Sequence, residues 1–166
     1  MNLFKKALCG AAGVAVALAA ASAAQAYENP HNTLVRTLKE AGVEFVSKTP
    51  HCEGRYGFFG SVGGALVIGL CENNIETLEQ LYATTRHEAI HVAQLCKAAI
   101  GAPQVVAGFA LLKPEANPYY MARAQDNGWH ILGYPEEGWE IEAEAFVLTN
   151  TWTAQQVEAQ VKRYCF

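Results

Sequence analysis

His87-Glu88-Ala89-Ile90-His91 is a stretch in which residue type and spacing together describe a chemistry. Two imidazoles four residues apart on a helix lie on one face, at a distance that a single metal ion can bridge. The Glu between them sits on an adjoining part of that face, where it can take a proton from water without itself being a ligand. That combination points to metal-assisted hydrolysis, with zinc as the metal. A catalytic zinc takes three protein ligands and keeps a fourth position open, so a third donor must be found. The extended form H-E-x-x-H-x-x-G-x-x-H needs a Gly and a His where this chain has Gln94 and Lys97, and it is excluded. The remaining source is a Glu from a second helix, and Trp139-Glu140-Ile141-Glu142-Ala143-Glu144-Ala145-Phe146 supplies three. Glu140 and Glu144 share a face at i, i+4, while Glu142 is turned about 200° from Glu140. One of those two faces must meet the motif helix.

An HExxH followed by a helix carrying E-x-x-x-(D/N/E), with a small residue inside it, resembles the gluzincins. The looser likeness is to thermolysin-type enzymes, the closer to the compact single-domain forms called minigluzincins. Glu140 to Phe146 looks like the E-x-x-A-(D/N)-x-F signature of several such families. The resemblance spans about Tyr82 to Trp152 and is specific at the two helices. It implies a zincin-like zinc peptidase with His87, His91 and Glu140 as metal ligands and Glu88 as general base; register also favours Glu140 over Glu142. Glu144 would stand where the pattern has Asp or Asn, holding a ligand imidazole by its other nitrogen. The chain departs from the pattern in having Glu there, and in the additional Glu142.

Peptide-bond hydrolysis on a peptide or protein substrate follows from those parts. Zinc would polarise the scissile carbonyl and the attacking water, and Glu88 would carry the proton to the leaving amine. His130, Tyr119, Tyr120 and Tyr134 lie between the two helices as oxyanion donors to choose from, with none singled out. The apolar strand at Ala65 to Leu70 is expected to offer a sheet edge to an extended peptide. An exported metal-binding or interaction domain that keeps the shell but cleaves nothing is the alternative reading. Glu88, for which a purely structural site has no use, speaks against it. A third reading makes HEAIH a coincidence on a helix of a disulfide-braced binding protein.

The address of the chain agrees with secreted hydrolysis. Lys5 and Lys6 precede an apolar run from Ala7 to Ala20, and Ala24-Gln25-Ala26 forms a small-residue cleavage site before Tyr27. That order reads as a signal peptide over 1–26, followed by one domain over 27–166 and placing the product in the periplasm or medium. The apolar run is shorter than the roughly 20 residues of a membrane span, and Cys9 lies ahead of its core, so no stable anchor is expected after cleavage. The chain is formally −4; loss of Lys5 and Lys6 takes the domain to −6. Without a basic stripe it has nothing to displace counterions from phosphates, which argues against nucleic acid. Four cysteines remain after the leader, an even number suited to an oxidising compartment. Cys52 and Cys71 flank a Gly-rich hairpin and are the expected pair, leaving Cys96 for Cys165; no CxxC spacing supports a cysteine zinc site. The sequence assigns no oligomeric state.

These groups need a scaffold, and the pattern predicts α+β: a small antiparallel sheet set early, then helices. Asn32 is the expected cap of a first helix with Leu34, Val35 and Leu38 on one face, closing at Gly42. Val43 to Val46 and the two runs at Tyr56 to Phe59 and Ala65 to Ile68 read as strands. Gly60 to Gly64 lacks the P-loop Lys and spacing, and reads as a turn. Helical spacing covers Ile75 to Ala99, as one helix or as two parted near Thr84-Thr85, and resumes over Gln104 to Leu112 after Gly101-Ala102-Pro103. Asn117 to Tyr134 reads as irregular or briefly helical. Glu136 to Trp152 reads as a helix, and Thr153 caps a last one. His31 and His51 are expected in exposed loops, and Gln94 in a packing role.

Overall fold

The computed structural model describes residues 28–101, 112–126 and 136–166. Asn29, rather than Asn32, opens the first helix, α1 (Pro30–Glu40), because Pro30 at the first turn has no N–H to cap and fixes its own φ. The Asn29 side chain accepts from His31 N at 2.9 Å. Leu34, Thr37 and Leu38 line the buried side. The chain turns beyond Ala41 through Gly42, whose φ of +83° favours glycine.

Three strands follow: β1 (Val43–Val46), β2 (Gly57–Val62) and β3 (Ala65–Leu70). Gly63 and Gly64, at φ +61° and +90°, make the two-residue turn between β2 and β3, since two left-handed positions in succession match the strand twist. The sheet order is β1-β3-β2. β3, with Val67 and Ile68 buried, takes the centre as the most apolar strand. Hairpin closure occupies one of its edges, and β1 fills the other in parallel, Val43 opposite Leu66. The sheet is therefore mixed, not purely antiparallel. The expected free edge at Ala65 to Leu70 is taken up on both sides; among the described residues the edge without a strand partner beside the motif helix belongs to β2.

The motif helix α2 (Leu78–Gly101) runs 24 residues without interruption. Thr77 and Gln80 cap it reciprocally, side chain to backbone in both directions at 3.1 Å. Of the one-helix and two-helix readings the structure takes the first, and Thr85 Oγ1 donates to the Leu81 carbonyl of its own helix at 2.8 Å instead of capping a second. A 3-10 turn at Pro114–Ala116 leads into α3 (Asn117–Asp126), and another at Glu136–Gly138 into α4 (Trp139–Thr151). α5 (Ala154–Cys165) has Thr153 as its N-cap, as expected, and Gln156 completes a capping box with it. The helix read over 104–112, the leader, His130 and Tyr134 lie outside the described residues, Leu112 apart.

One core joins these elements. Leu34, Leu38, Ile68, Ile90, Leu148, Val157 and Val161 are all nearly or fully buried. α2 is its axis, packed against α4, α5, β2 and β3. The outcome is an α+β domain with, among the described residues, a three-stranded sheet and five α-helices. Both expected disulfides form: Cys52–Cys71 ties the loop before β2 to the end of β3, and Cys96–Cys165 ties α2 to the end of α5.

Candidate metal centre

α2 turns His87, Glu88 and His91 inward, each less than a tenth exposed. Their burial follows from the helix's other positions: Ala89, Ile90, Val92 and Ala93 are fully buried, so the middle of α2 has core on nearly every side. α4 crosses α2 with Glu142, Ala145, Phe146 and Thr149 on the near side, a stripe at i, i+3, i+4 and i+7. The Phe146 ring stands 4.6 Å from the His87 ring. From the sheet side, Phe59 faces His91 at 6.4 Å. Between them lies a cavity of about 120 Å³, bounded on the β2 side by Arg55, Gly57 and Phe58.

Two imidazole nitrogens and the two oxygens of one carboxylate converge there. His87 Nε2 and His91 Nε2 are 3.2 Å apart, Glu142 Oε2 is 3.3 Å from the first, and Glu142 Oε1 is 3.4 Å from the second. These spacings test whether a metal fits. On a tetrahedron with Zn–N and Zn–O bonds of about 2.0–2.1 Å, neighbouring ligand atoms are roughly 3.3–3.4 Å apart. The donor set, two imidazoles and one carboxylate, is also that of a catalytic zinc with a position left open. His87, His91 and Glu142 fit the ion in number and type, and one ligand atom from each lies within 4.8 Å of the others.

Electrostatics ties the trio together. Burial opposes ionisation of Glu142, but hydrogen bonds and charge from His87 and His91 outweigh it and hold the carboxyl down at about 2. Burial likewise lowers the His91 pKa, and Glu142 with Glu88 overrides it, pushing the imidazole up to about 9. Glu88 lines the same cavity. Its burial raises the carboxyl's pKa, against the opposing pull of both imidazoles. β2 passes directly over it: a Cβ at Gly57 would sit 3.0 Å from Glu88 Oε1, 2.9 Å from the Gly69 carbonyl and 2.5 Å from Thr84 Cγ2. Only glycine lets the strand approach this closely.

The far nitrogens of the imidazoles also have partners. His87 Nδ1 faces Thr149 Oγ1 at 3.5 Å, and that hydroxyl donates to the Ala145 carbonyl at 2.7 Å. His91 Nδ1 meets Gln94 Oε1 at 2.8 Å.

Glu140, the expected third ligand, is exposed near the start of α4 and does not join the pair. The face that meets α2 is that of Glu142, and Glu140 is rotated away from it. Glu144 is fully buried on the other flank, where it contacts Gln94 and not an imidazole. Gln94 is thus a polar partner of the site and not simple packing. His31 is not in an exposed loop: its ring stacks on Tyr82 at 3.9 Å, its Nε2 faces Arg86 Nη1 at 2.8 Å, and burial followed by Arg86 lowers its pKa. His51 is exposed as expected, edge-on to Phe58 at 5.5 Å. Tyr120 is buried in the core and Tyr119 points outward. Gln94, Thr149 and Gly57 were not legible as site residues; of these only Gly57, a glycine before an aromatic pair in a strand, carried a local signal of close approach.

A family model described as a domain of unknown function, DUF8637, matches residues 24–166. No curated protein and no solved structure matches the chain.

Proposed function

The chain belongs to the DUF8637 family, and from the centre just described we propose that it is a zinc-dependent peptidase, with His87, His91 and Glu142 as ligands and Glu88 as general base. The observation that carries this reading is the convergence of two Nε2 atoms and a carboxylate at 3.2–3.4 Å, with a second, non-ligating carboxylate in the same cavity. Bound there, zinc supplies Lewis acidity toward a carbonyl and lowers the pKa of water. Glu88 takes the proton of the attacking water and delivers it to the leaving nitrogen. Its buried position, which favours the protonated form, suits a base that must hold a proton between the two steps. Gly57, Phe58 and Phe59 place β2, an outer strand of the sheet among the described residues, along the cavity, so an extended peptide lying beside that strand passes next to the ligands. This strand replaces the edge expected at β3. Export after Ala26 belongs to the same reading, and the two disulfides favour an oxidising compartment.

The test is zinc content beside cleavage of a quenched peptide library, in the oxidised protein and in Glu88→Gln and Glu142→Ala. Near-stoichiometric zinc is expected in the parent and in Glu88→Gln, with cleavage in the latter lower by about 10²–10⁴-fold. Glu142→Ala should lose both. Zinc without cleavage in the parent would select the silent metal-binding domain; no zinc at all would reduce HEAIH to coincidence.

A further inference from the structure

Gln94 lies almost one turn beyond His91 on α2, fully buried, and its amide spans the gap to α4. Its Nε2 faces two acceptors, the Ile141 carbonyl at 3.2 Å and Glu144 Oε2 at 2.8 Å. An amide nitrogen only donates, so these acceptors fix which end of the amide is which and turn Oε1 toward His91 Nδ1. An amide oxygen only accepts, so Nδ1 must carry the hydrogen. His91 is therefore set with Nε2 turned toward His87 and Glu142, the orientation a metal requires. Glu144 is itself held from a third side: its oxygens receive Leu112 N at 2.7 Å and Lys113 N at 2.5 Å.

We infer that Gln94 and Glu144 form a positioning couple for the metal centre, the carboxylate holding the amide and the amide accepting the Nδ1–H of His91, so that Nε2 is the atom turned to the other donors. The inference rests on the reading of His87, His91 and Glu142 as ligands. Ligand imidazoles usually give their other N–H directly to a carboxylate, a backbone carbonyl or water. Here an amide stands between ring and carboxylate. It keeps the orienting effect while moving a full negative charge one residue further from the cavity, which already holds Glu88 and Glu142. The couple also fastens the backbone at Leu112 and Lys113 to the motif helix, so that ligand orientation and the docking of that segment are one hydrogen-bonded unit.

The test uses the oxidised protein, its Gln94→Met variant, which keeps length and volume but removes both amide functions, and Glu144→Gln. Zinc affinity is read by competition with a chromophoric chelator. The His91 Nδ1–H is read by long-range 1H–15N NMR on the metal-free protein. Gln94→Met should bind zinc 10–100-fold more weakly, the range for losing an outer hydrogen-bond partner of a ligand. Its Nδ1–H signal, slow to exchange in the parent, should vanish into exchange with water. Glu144→Gln should lose affinity in the same direction. The couple is overturned if Gln94→Met keeps both the affinity and the signal, even at a lowered melting temperature, because that is the signature of a merely structural role. A parent that takes no zinc but loses the signal in Gln94→Met sinks the metal reading and leaves the orientation of His91 by Gln94 standing.

Discussion

Replacing Glu142 by Gln in the metal-free protein isolates the attraction that assembles the centre. Between its ordinary value of 4.5 and about 2, the Glu142 carboxyl registers that attraction from one side. Between 6.5 and about 9, the His91 imidazole registers it from the other. At 1.36 kcal/mol per pH unit each difference converts to about 3 kcal/mol. The two are views of one interaction and are counted once. Both side chains are well shielded, 13% and 7% exposed, so solvent screening removes little of it. The sign differs at the two ends of the pH range. The depressed carboxyl contributes stability that is complete above 4.5 and is lost as pH falls toward 2. The raised imidazole contributes stability that is complete below 6.5 and is lost as pH rises through 9. The parent minus Glu142→Gln difference should therefore form a plateau of about 3 kcal/mol between pH 4.5 and 6.5 and decline on both sides. Thermal unfolding after chelation, followed by circular dichroism, reads it as roughly 10 °C of melting temperature. Glu140→Gln should superimpose on the parent throughout, since that side chain is exposed. A flat difference curve for Glu142→Gln, or a plateau in Glu140→Gln, would refute the assignment of the third donor.

Gly57→Ala forces a methyl against Thr84 Cγ2, the Gly69 carbonyl and Glu88 Oε1, and the carbonyl belongs to the central strand and has nowhere to go. Overpacking of this kind costs about 1–3 kcal/mol; denaturant titration should show it, and peptide cleavage should fall further than stability alone accounts for, because Glu88 is displaced. Cleavage unchanged in a destabilised variant would mean that Glu88 does not sit where β2 presses on it. Opening Cys96–Cys165 by paired Ser substitution should cost about 4 kcal/mol by loop closure over 69 residues, and opening Cys52–Cys71 about 3 kcal/mol over 19. The order of the two midpoints is the check.

Much of this was legible because it is local. HEAIH declares its geometry through helix spacing and Thr153 its capping role through its side chain, whereas the turn read over Gly60 to Gly64 was too wide, since Gly60 to Val62 belong to β2 and only Gly63-Gly64 turn. The Cys52–Cys71 pair followed from the hairpin between the two, and Cys96–Cys165 from what remained. What stayed hidden depends on how elements cross. The apolar stripe of α4, with Ile141, Ala145 and Leu148, is flanked by Glu142 on one side and by Glu140 with Glu144 on the other. Nothing within that segment says which flank will meet α2. Gln94 was opaque for the same reason: a glutamine on a helix gains meaning only when Glu144 and Ile141 arrive from another helix and dictate which way its amide points. Asn29 prevailed over Asn32 as a cap through Pro30, and the parallel pairing of β1 was decided by which side of β3 remained open.

The bond between Cys96 and Cys165 has a consequence for how the domain is built as well as for how firmly it stands. Glu142 follows His87 by 55 residues, a long separation for groups that must meet within a few ångströms. Once the bond is made, Glu142 and Glu144 lie inside a closed ring whose neck is on the motif helix, only a turn or so beyond His91. The search of one helix for the other then takes place in a confined volume, and contacts distant along the chain become near ones by covalent connectivity. Folding slows as the contacts to be made grow more distant, so the oxidised chain should assemble its donor atoms faster than the reduced one, by shortening the path they travel to meet.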